Sequence, residues 1–264
     1  MKDLPKIMWI LNITPDSFYD GGNFLLPEDA KNQIEKMIDE WAWIIDVGWF
    51  SSRPWAEMPS VEEELSRILP VMKLLENYDI PVSVDTCRSE VVKEILKFKN
   101  LRYINDISWL SDEKILPLIS WTQVWYILMH IQWTPGDMQD NPEYDDVVDE
   151  IYSFLEEKIN ILKNWWVGDI IIDPGFGFGK TIEHNYEVLD RFSEFKRFDL
   201  PLLAGMSRKS MIWKLLDTQP AETLSETIAL HLLALEKWAD ILRVHDVKEH
   251  QWILKIHTKL HEKK

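Results

Sequence analysis

Polar and charged residues recur along this 264-residue chain, each at the end of a short apolar run. In chain order they are Asn12, Asp46, Asp85, Asn105 with Asp106, His130, Asp173, Ser207 to Lys209, and Arg243 with His245. Carboxylates and amides of this kind are hydrogen-bonding groups that a bound ligand would satisfy. Lysine, arginine and histidine suit an anion. Any one of these residues alone reads as a turn or cap. Repeated at run after run they read as one site, because Asp and Asn at the ends of buried strands are costly unless they bind something.

The remaining motifs narrow the chemistry by failing. The run Asp173-Pro-Gly-Phe-Gly-Phe-Gly-Lys-Thr181 carries Pro174 where a phosphate loop needs its first glycine. Gly175, Gly177 and Gly179 alternate without the final x-x-G of a dinucleotide fingerprint. They still let the backbone turn tightly beside Asp173 and present Phe178. Lys209 could form a Schiff base. Its neighbours Arg208 and Ser210 look more like an anion grip at a helix N-terminus. His250, His257 and His261 share one face of the last helix and read as a solvated amphipathic face, with a metal site as the second reading. There is no His-Glu-x-x-His and no cysteine cluster, so no zinc site is expected. Cys87 has no evident partner base and reads as a packed residue.

The elements that must position these groups are eight short, nearly continuous apolar runs: Ile7–Ile13, Trp43–Gly48, Pro81–Asp85, Arg102–Ile107, Val124–His130, Asp169–Asp173, Pro201–Gly205 and Ile241–His245. Such runs suit parallel strands covered on both faces. Helical stripes lie between them, as at Val61, Leu65, Ile68, Leu69 and Met72. Pro27-Glu28-Asp29 opens the first helix, and Ser60 with Glu63 forms a capping box. Eight strands alternating with helices predict an α/β chain folded as a (β/α)8 TIM barrel, one domain over residues 1–264. A doubly wound open sheet is the second reading. In a barrel the chemistry sits at the C-terminal strand ends, where the polar residues cluster.

Composition agrees. Hydrophobic residues make up 46% and charged residues 28% of the chain, which excludes disorder and fibrous repeats. A net charge of −16 argues against a nucleic-acid partner and requires any anionic substrate to be held by a few local cations. No apolar run reaches the roughly 20 residues of a membrane span, so no membrane partner is expected. Met1 to Met8 lacks the basic and apolar segments of a signal peptide. The single Cys87 fits a reducing, cytoplasmic setting.

Seven ordered blocks carry a resemblance. Ile10-Leu-Asn-Ile-Thr-Pro-Asp-Ser-Phe-Tyr-Asp-Gly-Gly22, Ser51-Ser-Arg-Pro54, Val84-Asp-Thr86, Ile104-Asn-Asp-Ile107, Asp173–Thr181, Ser207-Arg-Lys-Ser210 and Arg243-Val-His-Asp246 resemble the signatures of the dihydropteroate synthase family from about Ile7 to Glu249. The resemblance implies a (β/α)8 barrel. It also implies a transferase of folate biosynthesis that joins 6-hydroxymethyl-7,8-dihydropterin diphosphate to 4-aminobenzoate and releases pyrophosphate. By the resemblance, Asp85, Asn105, Asp173 and Lys209 hold the pterin. Asn12, Ser52, Arg53, Arg243 and His245 receive the diphosphate, with Mg²⁺ near Asn12. Ser210, Phe178, Pro54 and Phe18 line the aminobenzoate site. Asp173, Lys209 and Arg53 are the implied catalytic residues, and a homodimer is the implied assembly. Two other classes stay open: a catalytically dead barrel serving as a scaffold, and a pterin-dependent methyltransferase. The Ser51–Pro54 and Ser207–Ser210 blocks argue against the methyltransferase.

The chain departs from the family in one systematic way. It holds fourteen Trp and only nine Gly, so glycine is about 3% where about 7% is usual. Trp9, Trp49, Trp55, Trp109, Trp133 and Trp238 stand where the family has glycine, and Phe50 where it has an acidic or aromatic residue. An indole at such places would clash or block the pterin pocket. Drift, an engineered aromatic barrel, and a gene whose UGA codons specify glycine are the competing explanations. The last accounts best for the uniform choice of Trp. Reading all fourteen as glycine brings that residue to about 9%, near the usual proportion.

Overall fold

The computed structural model describes residues 5–13, 19–20, 23–24, 28–48, 60–108, 110–132 and 142–262. Among these, eight parallel strands form one sheet: β1 (Lys6–Asn12), β2 (Ile44–Gly48), β3 (Val82–Asp85), β4 (Leu101–Asp106), β5 (Trp125–Met129), β6 (Ile170–Asp173), β7 (Leu203–Ala204) and β8 (Ile241–Val244). Consecutive strands from β1 to β6 pair with one another, and β8 lies between β1 and β7. An isolated parallel bridge between Ile172 and Leu202 joins β6 to β7 and closes the ring. All eight expected strands are present, so the barrel holds and the open sheet does not. A short antiparallel pair, Tyr19–Asp20 with Asn23–Phe24, follows β1.

Helices return the chain between strands: α1 (Glu28–Asp39), α2 (Val61–Leu75), α3 (Ser89–Ile95), α4 (Ile115–Ile119), α5 (Val147–Asn164), α6 (Ile182–Asp190), α7 (Ser210–Trp213), α8 (Leu224–Glu236) and α9 (Val247–His261). The capping box at Ser60 and Glu63 forms as the sequence predicts, satisfying two N–H groups that the first turn leaves unpaired. A second box, at Thr181 and His184, opens α6.

The two faces of each strand divide the core. Ile7, Trp9, Leu11, Ile45, Val47, Val82 and Val84 face the helices in the large outer cluster. Met8, Ile44, Ile127, Ile171, Leu203 and Ile241 fill the barrel interior, with Tyr103 and Trp125 packed against them. The period of two then carries the inward face upward from Ile44 to Asp46, from Tyr103 to Asn105, from Ile171 to Asp173 and from Ile241 to Arg243. The apolar floor and the polar mouth are successive layers of the same strand face.

Candidate active site

Arg243 on β8 is the central cation of the mouth. Its Nε donates to Asp46 Oδ2 at 2.7 Å and its Nη2 to Asp85 Oδ2 at 3.0 Å. Asn105 Nδ2 donates to the same Asp46 oxygen at 3.1 Å. Asp46 Oδ1 is buried and has no partner among the described residues. Burial lifts the Asp85 carboxyl to about 7, with Arg243 pulling it down and Asp46 pushing it up. Gly48 leaves room here: a Cβ at that position would stand 3.4 Å from Asp85 Cβ and 3.7 Å from Asn12 Oδ1.

A second group faces it. The Asp173 carboxyl at the end of β6 is raised by burial and drawn down by Lys209. It accepts from the Gly175 N–H at 2.7 Å. Lys209 Nζ donates to Phe176 O at 2.5 Å and stands 4.5 Å from the centre of the Phe178 ring. Burial lowers the Lys209 ammonium to about 8. Gly177 adopts φ +83°, and a Cβ there would meet Lys209 Cδ at 3.1 Å. His245 Nδ1 and Ser207 Oγ lie 2.9 Å apart, and burial lowers the imidazole to about 4, so it is neutral near pH 7.

Lys180 is the residue the sequence reading passed over. It is 3% exposed, and its Nζ donates to Gly175 O, to Phe178 O and to His130 Nδ1, each at 3.0 Å. Burial pushes the Lys180 ammonium well below the usual lysine range, and its three contacts tie the Gly175–Gly179 turn to the end of β5. Gly175, at φ +73°, passes so close that a Cβ would lie 1.8 Å from His130 O. Glu64 of α2 is also buried. It accepts from Thr86 Oγ1 at 2.6 Å and from Arg88 at 3.0 Å, bracing the turn after β3.

The strand-end set therefore resolves into parts. Asp46, Asp85, Asn105, Asp173, Lys209, Arg243 and His245 meet at the mouth, with Phe178 beside Lys209 and Ser210 opening α7. Asn12 is exposed at the tip of β1. Asp106 turns to the other face of β4, where it accepts from Tyr126 Oη and from the Ser108 and Leu110 N–H groups. Arg208 is no anion grip: it forms a two-point ion pair with Asp246 at 2.6 and 3.2 Å. His250 is not on a solvated face either. It is buried, with Nε2 2.8 Å from His231 Nδ1. His257 and His261 remain on that helix face beside Glu236. Trp9 does not enter the site, because its ring lies on the outer face of β1. Phe18, Ser52, Arg53, Pro54, Trp49, Trp55, Trp109 and Trp133 lie outside the described residues. Cys87 is half-buried and its thiol is pushed up to about 12, chiefly by burial, as a packed residue requires.

A closed parallel barrel with carboxylate, amide, guanidinium and ammonium groups gathered at its C-terminal mouth is the arrangement of a (β/α)8 enzyme. Residues 8–245 match the pterin binding enzyme family. The dihydropteroate synthase of Escherichia coli strain K12 is 45% identical over 93% of this chain and 88% of its own length. A solved dihydropteroate synthase from Clostridium difficile, crystallised in the presence of pteroic acid, superposes with TM-score 0.90 at 37% identity, covering 98% of each chain. The Thermus thermophilus enzyme in complex with 4-aminobenzoate gives TM-score 0.87 at 34% identity, covering 98% of this chain and 95% of that one. The chain belongs to the pterin-binding enzymes and, within them, to the dihydropteroate synthases.

Proposed function

We propose that the mouth of this barrel condenses 6-hydroxymethyl-7,8-dihydropterin diphosphate with 4-aminobenzoate, giving 7,8-dihydropteroate and pyrophosphate. The observation that carries the reading is the facing pair of Asp85–Asn105 and Asp173–Lys209 at one mouth. Two carboxylates accept from the amine and ring N–H donors of an aminopyrimidinone. Asn105 and Lys209 donate to its carbonyl and ring nitrogen.

The methylene C–O bond to the diphosphate breaks, and positive charge develops on the pterin-methyl group. Asp173 faces that charge as an anion, which is the electrostatic stabilisation such a step needs. Arg243, Arg53 and Ser52 receive the departing diphosphate, and neutral His245 donates or accepts without adding charge. The arylamine nitrogen then bonds to the methylene carbon and releases its proton to solvent. Phe178, Ser210, Pro54 and Phe18 hold the aminobenzoate ring and its carboxylate. Asn12 fits a Mg²⁺ site: it is an exposed amide oxygen beside the small Gly48, and Mg²⁺ commonly takes one or two protein oxygens, substrate phosphates and several waters. When bound, Mg²⁺ offsets charge on the leaving diphosphate.

The relatives reported above are synthases, which favours neither a scaffold nor a methyltransferase. Among the described residues no helix is long and apolar enough to cross a membrane. A cytoplasmic setting and a homodimer are the proposed location and assembly. The experiment is direct: the protein purified folded from its natural source, given both substrates and Mg²⁺, should release pyrophosphate in step with dihydropteroate. A folded chain that binds neither substrate would overturn the reading.

A further inference from the structure

We infer that the native polypeptide carries glycine at positions 41, 121, 166 and 238. Eight non-glycine residues among those described have positive φ, and four of them are these tryptophans: Trp41 at 69°, Trp121 at 61°, Trp166 at 59° and Trp238 at 74°. Such an excess of one bulky residue type in the left-handed region is not what sterics produce, since that region favours Gly and tolerates Asn and Asp.

The local hydrogen bonds say which residue each position needs. At the end of α1, Trp41 N–H donates to Ile38 O at 2.9 Å and Ala42 N–H to Met37 O at 3.0 Å. At the end of α5, Trp166 N–H donates to Lys163 O at 2.9 Å and Val167 N–H to Leu162 O at 3.0 Å. At the end of α8, Trp238 N–H donates to Leu235 O at 3.0 Å and Ala239 N–H to Ala234 O at 2.9 Å. Each is the paired closure of a Schellman motif, whose left-handed residue is usually glycine. Trp121 occupies a different turn with the same demand. Ser120 has φ −55° and ψ 132°, and Thr122 N–H donates to Ile119 O at 3.1 Å. That is a type II turn, whose third residue needs positive φ.

The side chains gain little in return. Trp41 is 75%, Trp121 74%, Trp166 64% and Trp238 55% exposed, although tryptophan is normally well buried. Trp121 and Trp166 stack on each other at 4.7 Å between centroids, out on the surface. By contrast Trp9 is packed in the core on a regular strand, so its conformation does not ask for glycine. One cause covers all four positions. Tryptophan has the single codon UGG in the standard code, and some lineages assign UGA to glycine. A gene from such a lineage, read with UGA as tryptophan, places Trp where the fold requires Gly. The same reading supplies glycine at positions 49, 55, 109 and 133.

All four positions lie in turns leading into strands, at the barrel end opposite the polar mouth. The inference therefore stands apart from the proposed reaction, and failure of one leaves the other intact. Peptide mass spectrometry of the protein from its natural source should find glycine at 41, 121, 166 and 238, with UGA at those codons. Tryptophan in those peptides, or UGG codons, overturns the inference. The quadruple variant W41G/W121G/W166G/W238G of the chain as written should melt higher, by about 2–4 °C per position. If only the variant folds, that supports the inference equally, and an unchanged or lower Tm overturns it.

Discussion

Arg243 and Asp85 lie 158 positions apart in the chain, and the guanidinium Nη2 reaches the carboxylate at 3.0 Å. The same guanidinium holds Asp46, so an arriving diphosphate must share a cation already engaged twice. Pyrophosphate with Mg²⁺ should raise the Tm of the folded chain, since a ligand that binds only the native state stabilises it. Arg243→Ala should shrink that shift and destabilise the fold by about 3–5 kcal/mol, because two buried carboxylates lose their counter-charge. Differential scanning calorimetry with and without pyrophosphate measures both. Equal shifts in the two proteins would remove Arg243 from the anion site.

The pH profile should have two limbs. Asp85 must ionise to accept from the pterin, so kcat/KM should rise through about 7. Lys209 must stay protonated to donate, so kcat/KM should fall through about 8. These limbs report the free enzyme. In Asp85→Asn the acid limb should move or vanish. The stability contribution has the opposite sign: folding raises the Asp85 pKa, so stability from this group falls as pH rises from about 4 towards 7.

Asp173→Asn should lower turnover about 100- to 1000-fold, the usual cost of losing one electrostatic stabiliser of a transition state. The Gly175 N–H can still donate to the amide oxygen, so the fold should hold. Steady-state kinetics with circular dichroism on the same sample separates the two effects. Full turnover in the variant would exclude Asp173 from the mechanism.

Lys180→Met should weaken binding as well as stability. It leaves Phe178 O without its donor and Gly175 O with only the Phe178 N–H at 3.2 Å, at about 1–3 kcal/mol for a buried group left unpaired. The turn that carries Phe176 O and the Phe178 ring to Lys209 then loses its anchor, so KM should rise for both substrates. A lower Tm with both KM values unchanged would reduce Lys180 to a purely structural tie.

Most of the frame was legible because strands buried on both faces read as continuous apolar runs, and parity along them separates floor from mouth. Adjacent residues Asn105 and Asp106 show the limit of reading strand ends without parity. One faces the site, while the other is consumed by Tyr126 and Ser108. Arg208 was misread because its partner Asp246 lies 38 positions away. His250 was misread because three histidines at helical spacing do not reveal that the first turn of α9 packs inward against His231. Strand β7 is shorter than its run suggests: only Leu203 and Ala204 pair with β8, between Pro201 and Gly205. Lys180 left a signal, a lysine closing a glycine-rich turn, but its burial comes from the way that turn folds over β5.

The bridge between Ile172 and Leu202 has a consequence for how the barrel breathes. Every other junction in the ring is a ladder of at least two paired residues, whereas β6 and β7 share a single bridge. A hoop parts first at its thinnest rivet. Amide exchange should therefore open this seam before the rest of the sheet. Asp173 closes the strand on one side of it, and the chain runs on from the other side to Lys209. The acid and the ammonium that form one group at the mouth thus belong to opposite lips of the one joint most free to gape.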